Sequence, residues 1–169
     1  MKAAETRADR RATELSRPLT LDPVFSGAPD LQLDSGKLAA WFTEPAGAVV
    51  QLTEAAVFTK AMAEWVVGPG FDTLKRRYPE QRNLRLLLDL RPMTSREPAA
   101  RQVVLKAATS SLFLFADVGV VLPARPPPLY LTTLHAAVAL LSAFGPEIRL
   151  FETIDDALAH MRLRAATSI

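Results

Sequence analysis

Residues 84–101 read LRLLLDLRPMTSREPAAR and predict a buried strand, a polar turn and the start of a helix. The nearly continuous apolar run is typical of a strand that helices cover on both faces, at the centre of a parallel sheet. We expect the strand to end on Asp89, the turn to contain Thr94 and Ser95, and the helix to open at Pro98. In open α/β sheets, ligands and partners usually bind at the loops that follow the carboxyl ends of the strands. This loop is therefore the first candidate for a functional site.

The flanking sequence predicts the rest of an α/β domain. Apolar runs at 38–42 and 48–52, separated by a turn that contains Pro and Gly, indicate a hairpin. Strands that alternate with helices after it require parallel pairing and right-handed crossovers. The predicted order is β-β-α-β-α-β-α-β-α, in a mixed, mostly parallel sheet with flanking helices. The helical segments are 54–67 with its continuation 71–78, 98–113, 129–144 and a last helix after Thr153, and the remaining strands are 118–122 and 148–151.

Three features carry predictions about burial and capping. The segment 129–144 is apolar almost throughout, so we expect a well-buried helix. Phe113, Leu114 and Phe115 are expected in the core, the alternative being an exposed patch that a partner or a lipid covers. Thr153 is the expected N-cap of the last helix.

The first 36 residues differ in composition from the rest of the chain. In 1–18, arginines alternate with acids and little is apolar, which predicts a solvated tail. The segment 19–36 is rich in Pro and Gly and is interpreted as a linker along the domain surface. We therefore divide the chain into a flexible N-terminal arm and linker, 1–36, and one α/β domain, 37–169. The expected anchors of the linker are Val24, Phe25, Leu31 and Leu33.

Composition excludes several classes of function. Lys and Arg number 20 against 18 Asp and Glu, and a formal net charge of +2 gives no reason to expect nucleic acid. Cysteine is absent, which excludes disulfides and thiolate sites. The amino terminus lacks the apolar core of a signal peptide, and no stretch approaches the roughly 18 apolar residues of a membrane span. A cytoplasmic protein is the expectation.

The sequence contains no convincing catalytic constellation. The motifs GxGxxG, GxSxG and the P-loop are absent. His135 and His160 lie in predicted helices without the carboxylate spacing of a metal site, so we predict packing roles for both. Asp89 is interpreted as a structural anchor that hydrogen-bonds the following loop rather than as a general base. We therefore predict neither a metal nor a cofactor, and no enzymatic activity.

The two hydroxyls after the central strand are candidate modification sites. Ser95 is the favoured N-cap of the next helix, since it places Pro98 in the first turn, where a missing N–H costs little. A phosphate there would meet the positive end of the helix. Ser95, and beside it Thr94, are therefore the candidate phosphoacceptors. Three arginines lie within reach of such a phosphate: Arg91, Arg96 and Arg101.

From residue 38 onward the chain resembles the STAS domain superfamily, the anti-sigma-factor antagonist or SpoIIAA-like fold, and especially its divergent bacterial single-domain members. The resemblance lies in LRLLLDL with its following loop and helix, in VGVVLP leading into LYLTTLHAAVALL, and in the closing IRLFETIDDALAHMRL. Domains of this kind are not enzymes and bind partner proteins. A Ser or Thr after their central strand is often phosphorylated by a partner kinase, and Ser95 or Thr94 is the nearest equivalent. The family's glycine-rich helix start is replaced by Arg96, Glu97 and Pro98.

The resemblance implies a non-catalytic interaction or regulatory module that presents the loop after the central strand to another protein. If this loop binds a partner, Arg91→Glu with Arg96→Glu should abolish partner capture while leaving the melting temperature nearly unchanged. The alternative is a small apolar-ligand or lipid-binding domain of the Sec14 type, which keeps the same element order. The partner's identity stays open, as does a homodimer. The residues expected to bind the partner are Arg91, Met93, Arg96 and Arg101.

Overall fold

Residues 84–101 form the predicted strand and helix, with a second short strand between them. The computed structural model describes residues 19–126, 128–143 and 145–166. The strands are β1 (Leu31–Gln32), β2 (Leu38–Glu44), β3 (Gly47–Leu52), β4 (Ala56–Phe58), β5 (Leu84–Asp89), β6 (Met93–Arg96), β7 (Phe115–Val121), β8 (Glu147–Phe151) and β9 (Arg164–Ala165). The helices are α1 (Lys60–Trp65), α2 (Phe71–Arg77), α3 (Pro98–Ser111), α4 (Pro128–Ser142) and α5 (Ile154–Met161), with a π-helical turn (Val66–Gly70) between α1 and α2.

The main sheet has the order β1-β2-β3-β5-β7-β8, and β9 pairs with β2. The predicted hairpin is its antiparallel part, since β2 pairs antiparallel with β1, β3 and β9. Strands β3, β5, β7 and β8 pair in parallel, and a helical segment crosses over between each successive pair. The mixed α/β fold with a parallel centre is therefore confirmed, with β5 between β3 and β7 as the central strand.

Both faces of the sheet are covered, as the leucine run of β5 predicts. Leu84 and Leu86 belong to a core cluster that contains residues of α1 and α2. Leu87 points to the opposite face because side chains alternate along a strand, and it packs there with residues of α5. Two predicted linker anchors, Val24 and Phe25, pack against this second cluster. The segment 19–36 thus lies along the sheet.

The helix expected at 54–67 begins later than its periodicity predicts. Residues 56–58 form β4, which pairs in parallel with β6 in a separate two-stranded sheet. Thr59 then caps α1, and its hydroxyl accepts a hydrogen bond from the backbone N–H of Met62. The break between the two predicted helical segments, 54–67 and 71–78, is also absent, because the chain stays helical through the π-helical turn. A strand pairing distant in sequence overrides the local helical period.

Helix α4 is present, but the prediction that it is well buried is wrong. None of its described side chains is buried, and His135 and Ala139 are exposed on its outer side. The reason is its place in the fold, since α4 contacts β8, which lies at the end of the sheet order. Phe115 is buried as expected, whereas the ring of Phe113 is 70% exposed in the turn before β7.

Candidate functional site

The loop after β5 differs from the expected polar turn. Thr94 and Ser95 lie in β6, where Ser95 is paired with Val57 of β4. The prediction that Ser95 caps α3 is wrong, because the backbone stays extended through Glu97, which is the N-cap. The following Pro98 explains this boundary, since a residue before proline is disfavoured in the helical region.

Glu97 joins the amino ends of two helices. Its backbone N–H donates to the carbonyl of Phe58 at 3.0 Å, which continues the β4–β6 pairing. Its carboxylate accepts a hydrogen bond from the backbone N–H of Lys60, at 2.7 Å, at the start of α1. The acidic group nearest to Arg96 in sequence is therefore directed at α1.

Asp89 is fully buried and lies at the carboxyl end of the central strand. Its carboxylate accepts hydrogen bonds from Gln51 Nε2 at 3.2 Å and from Arg91 Nε and Nη2 at 2.9 and 2.8 Å. Gln51 in turn accepts from the backbone N–H of Val24 and donates to the carbonyl of Asp22. A buried carboxylate needs such compensation because desolvation of an unpaired charge is costly. These contacts fasten segment 19–36 and the loop after β5 to the central strand.

Two of the four expected partner-binding residues face the protein itself. Arg91 is paired with Asp89 through two of its three guanidinium nitrogens, Nε and Nη2, and this hydrogen bonding raises the pKa of Arg91 above its usual value. Met93 packs against the core cluster of α1 and α2. Arg91 is consequently unsuitable for the charge reversal that the sequence suggested, because a glutamate there would meet a buried carboxylate.

The other two, Arg96 and Arg101, line a cavity of about 410 Å³. The guanidinium carbon of Arg96 lies over the ring of Tyr130 in α4, 5.1 Å from its centroid, which is cation–π geometry. Burial raises the pKa of the Tyr130 hydroxyl, and the charge of Arg96 opposes that shift. The cavity is lined by Arg96 and by the amino-terminal half of α3, which follow the carboxyl end of β5. It therefore lies on the carboxyl-end side of the parallel strands. The residues lining it are Arg96, Pro98, Arg101, Gln102 and Leu105.

Sequence reasoning missed three residues here. Gln102 and Leu105 follow Arg101 by one and four positions, a spacing that places them on one side of a helix and that could have identified both. Tyr130 is distant along the chain, and its approach to Arg96 carries no local signal.

Helix α3 exposes apolar side chains beside the arginines. Ala100 is its one buried residue, whereas Val104 and Leu105 are 42% and 38% exposed. Both lie about one helical turn after Arg101. We call Arg96, Arg101, Val104 and Leu105 the α3 surface.

The two histidines are the remaining candidate residues of the sequence. His160 lies beside Arg149 and against the ring of Phe151, and His135 lies on the outer side of α4. Among the described residues, no cluster of three or more His, Asp or Glu side chains is placed to hold a metal ion. Within the same ranges, no helix has the length and apolar character needed to cross a membrane.

The comparisons with known proteins bear on the fold. No protein-family model matches the sequence, and no curated protein matches it. A solved structure from Shewanella loihica, an uncharacterised protein of the DUF3478 family with a SpoIIAA-like fold, superposes with a TM-score of 0.50 at 14% identity. The match covers 73% of this chain and 90% of that one. The chain therefore has a SpoIIAA-like fold, which confirms the resemblance to STAS domains at the level of the fold.

Proposed function

We propose that this chain is a non-catalytic interaction or regulatory module that binds a partner protein through the α3 surface. The observation that carries the proposal is the juxtaposition of exposed Val104 and Leu105 with two arginines that line one cavity. Exposed apolar side chains beside arginines are typical of protein-binding surfaces, where arginine is enriched. The SpoIIAA-like fold supports a STAS-type role in cytoplasmic signalling. Residues 37–169 would exert it together with segment 19–36, which supplies β1 and packs along the sheet.

The chemistry of Asp89 supports the absence of a catalytic role. A general base needs a carboxylate that a substrate proton can reach. Asp89 is fully buried, and its two oxygens accept hydrogen bonds from Gln51 and Arg91. Its position at the end of the central strand therefore serves to anchor the following loop.

Regulation by phosphorylation fits the exposure of the β6 hydroxyls. Thr94 and Ser95 are both exposed. Thr94 and Ser95 both lie within two residues of Arg96, and Thr94 is the extra residue of β6 at the register shift between Ala56 and Val57. A phosphate on either hydroxyl would add close to two negative charges near Arg96 and compete with a partner for it. Ser95 and Thr94 are therefore both proposed as phosphoacceptors.

Quantitative affinity capture from the native cell tests the proposed function. We expect Arg101→Glu to reduce recovery of the partner about tenfold or more, because it reverses a charge at the proposed interface. The matched control is Arg82→Glu, another exposed arginine, which lies at the opposite, amino end of β5. Both variants should keep the melting temperature of the wild type. Equal recovery with the two variants would contradict the proposal.

A further inference from the structure

We infer that the α3 surface recognises a partner segment that carries a carboxylate and, two to four residues away, a large apolar side chain. The inference rests on the proposed function and names the chemistry of its partner. The carboxylate would lie between Arg96 and Arg101 in the cavity. The apolar side chain would pack on Val104 and Leu105.

The charge at this site selects an acidic partner. Neither Arg96 nor Arg101 forms an ion pair with a carboxylate in the described part of the chain, unlike Arg91. The adjacent carboxylate of Glu97 is held by the backbone of Lys60. Two guanidinium groups that line one cavity suit a carboxylate, which they bind through paired N–H donors.

Tyr130 prepares Arg96 for binding. An unrestrained arginine loses rotamer freedom when it is fixed by a ligand. The centroid of the Tyr130 ring lies 5.1 Å from the guanidinium carbon of Arg96, and this contact restricts the positions that the guanidinium can take. Such pre-organisation lowers the entropic cost of binding.

The distance from Arg101 to the apolar side chains of α3 sets the spacing between the acidic and the apolar residue in the partner. Val104 and Leu105 follow Arg101 by three and four residues, which is about 4.5 and 6 Å along the axis of α3. A partner helix reaches the same separations between residues i and i+3 or i+4, and an extended partner reaches about 6.6 Å between i and i+2. The recognised segment therefore carries Asp or Glu with Leu, Ile, Met or Phe two to four positions away.

Phage display with a random dodecapeptide library on the immobilised full-length chain tests this inference. We expect enrichment of an acidic residue followed or preceded by a large apolar one at that spacing. Fluorescence anisotropy of the most enriched peptide then measures affinity. Replacing its acid with the amide should weaken binding about tenfold, and Arg101→Glu in the protein should do the same. Arg82→Glu should leave the affinity unchanged, and binding should weaken at high salt.

Several results would overturn the inference. These are no enrichment, enrichment of peptides without acids, and binding that Arg101→Glu leaves intact. Vesicles of phosphatidylglycerol that bind the wild type but not Arg101→Glu would assign the surface to a membrane instead. If cellular capture depends on Arg101 while no acidic peptide is selected, the proposed function stands and only the partner chemistry fails.

Discussion

At the scale of single residues, the loop after β5 contains two kinds of arginine that the sequence does not distinguish. Arg91 is locked onto buried Asp89, whereas Arg96 rests on an aromatic ring beside a cavity. The difference arises from burial of one carboxylate and from the approach of α4. Neither is visible in the local pattern of residues. Charge reversal at the two positions should therefore have different effects.

Arg91→Glu is expected to lower the free energy of unfolding by roughly 3 kcal/mol or more, because it leaves a buried carboxylate without its partner and adds a second one. Arg96→Glu should cost less than about 1 kcal/mol, since the Arg96 contact is a partly exposed cation–π pair. Urea unfolding of both variants measures the difference. Equal losses would show that the Asp89–Arg91 pair does not anchor the loop.

The Arg96–Tyr130 contact predicts a change in titration. Burial raises the pKa of Tyr130 and the charge of Arg96 lowers it, so Arg96→Gln should shift the pKa of Tyr130 upward. The chain has two tyrosines, and a Tyr78→Phe background leaves Tyr130 as the reporter. Ultraviolet absorbance of the tyrosinate follows the titration. An unchanged or lower pKa would mean that the two side chains do not meet.

The raised pKa values of the two tyrosines make the stability of the fold depend on pH. The folded-state pKa values of Tyr78 and Tyr130 are both raised, so folding favours the neutral phenols. The two neutral phenols contribute to the free energy of unfolding at pH values below about 10, the pKa of tyrosine in the unfolded chain. This contribution is lost as the pH rises through the pKa values of the folded state.

At the scale of elements, the sequence predicts correctly those features that turn residues and capping side chains determine. The hairpin, the start of α3 at Pro98 and the Thr153 cap of α5 are all present, because turn residues and caps act within a few positions. The β4–β6 pair was not predicted, since it joins residues about 37 apart and the helical period of 54–67 concealed it. Burial of α4 was overestimated because composition does not indicate which strand lies at the sheet edge.

Gly47 provides a prediction about strand pairing. A Cβ at this position would lie 2.1 Å from the backbone carbonyl oxygen of Arg85 in β5. Because this carbonyl cannot move without disturbing the central sheet, Gly47→Ala should cost about 2–4 kcal/mol of unfolding free energy. The control is Gly68→Ala, where nothing lies within 4 Å and alanine favours the helical turn. Equal stability of the two variants in urea would be inconsistent with the β3–β5 register.

At the scale of the whole molecule, the two sides of the fold differ in how completely they are covered. On one face, α5 and segment 19–36 pack over the central strands, with Val49, Leu87 and Val121 fully buried. On the side of the loop after β5, α3 leaves Val104 and Leu105 partly exposed next to Arg96 and Arg101. This asymmetry favours the α3 side for a partner.

Hydrogen exchange measured by mass spectrometry, on the full chain with and without its captured partner, tests this claim most directly. Binding at the α3 surface predicts slower exchange in residues 93–108, with α5 unchanged as the internal reference. The backbone amide of Phe113, in the turn that follows α3, should lie outside the protected region. Protection confined to α5 and β9, with no change at 93–108, would contradict the account.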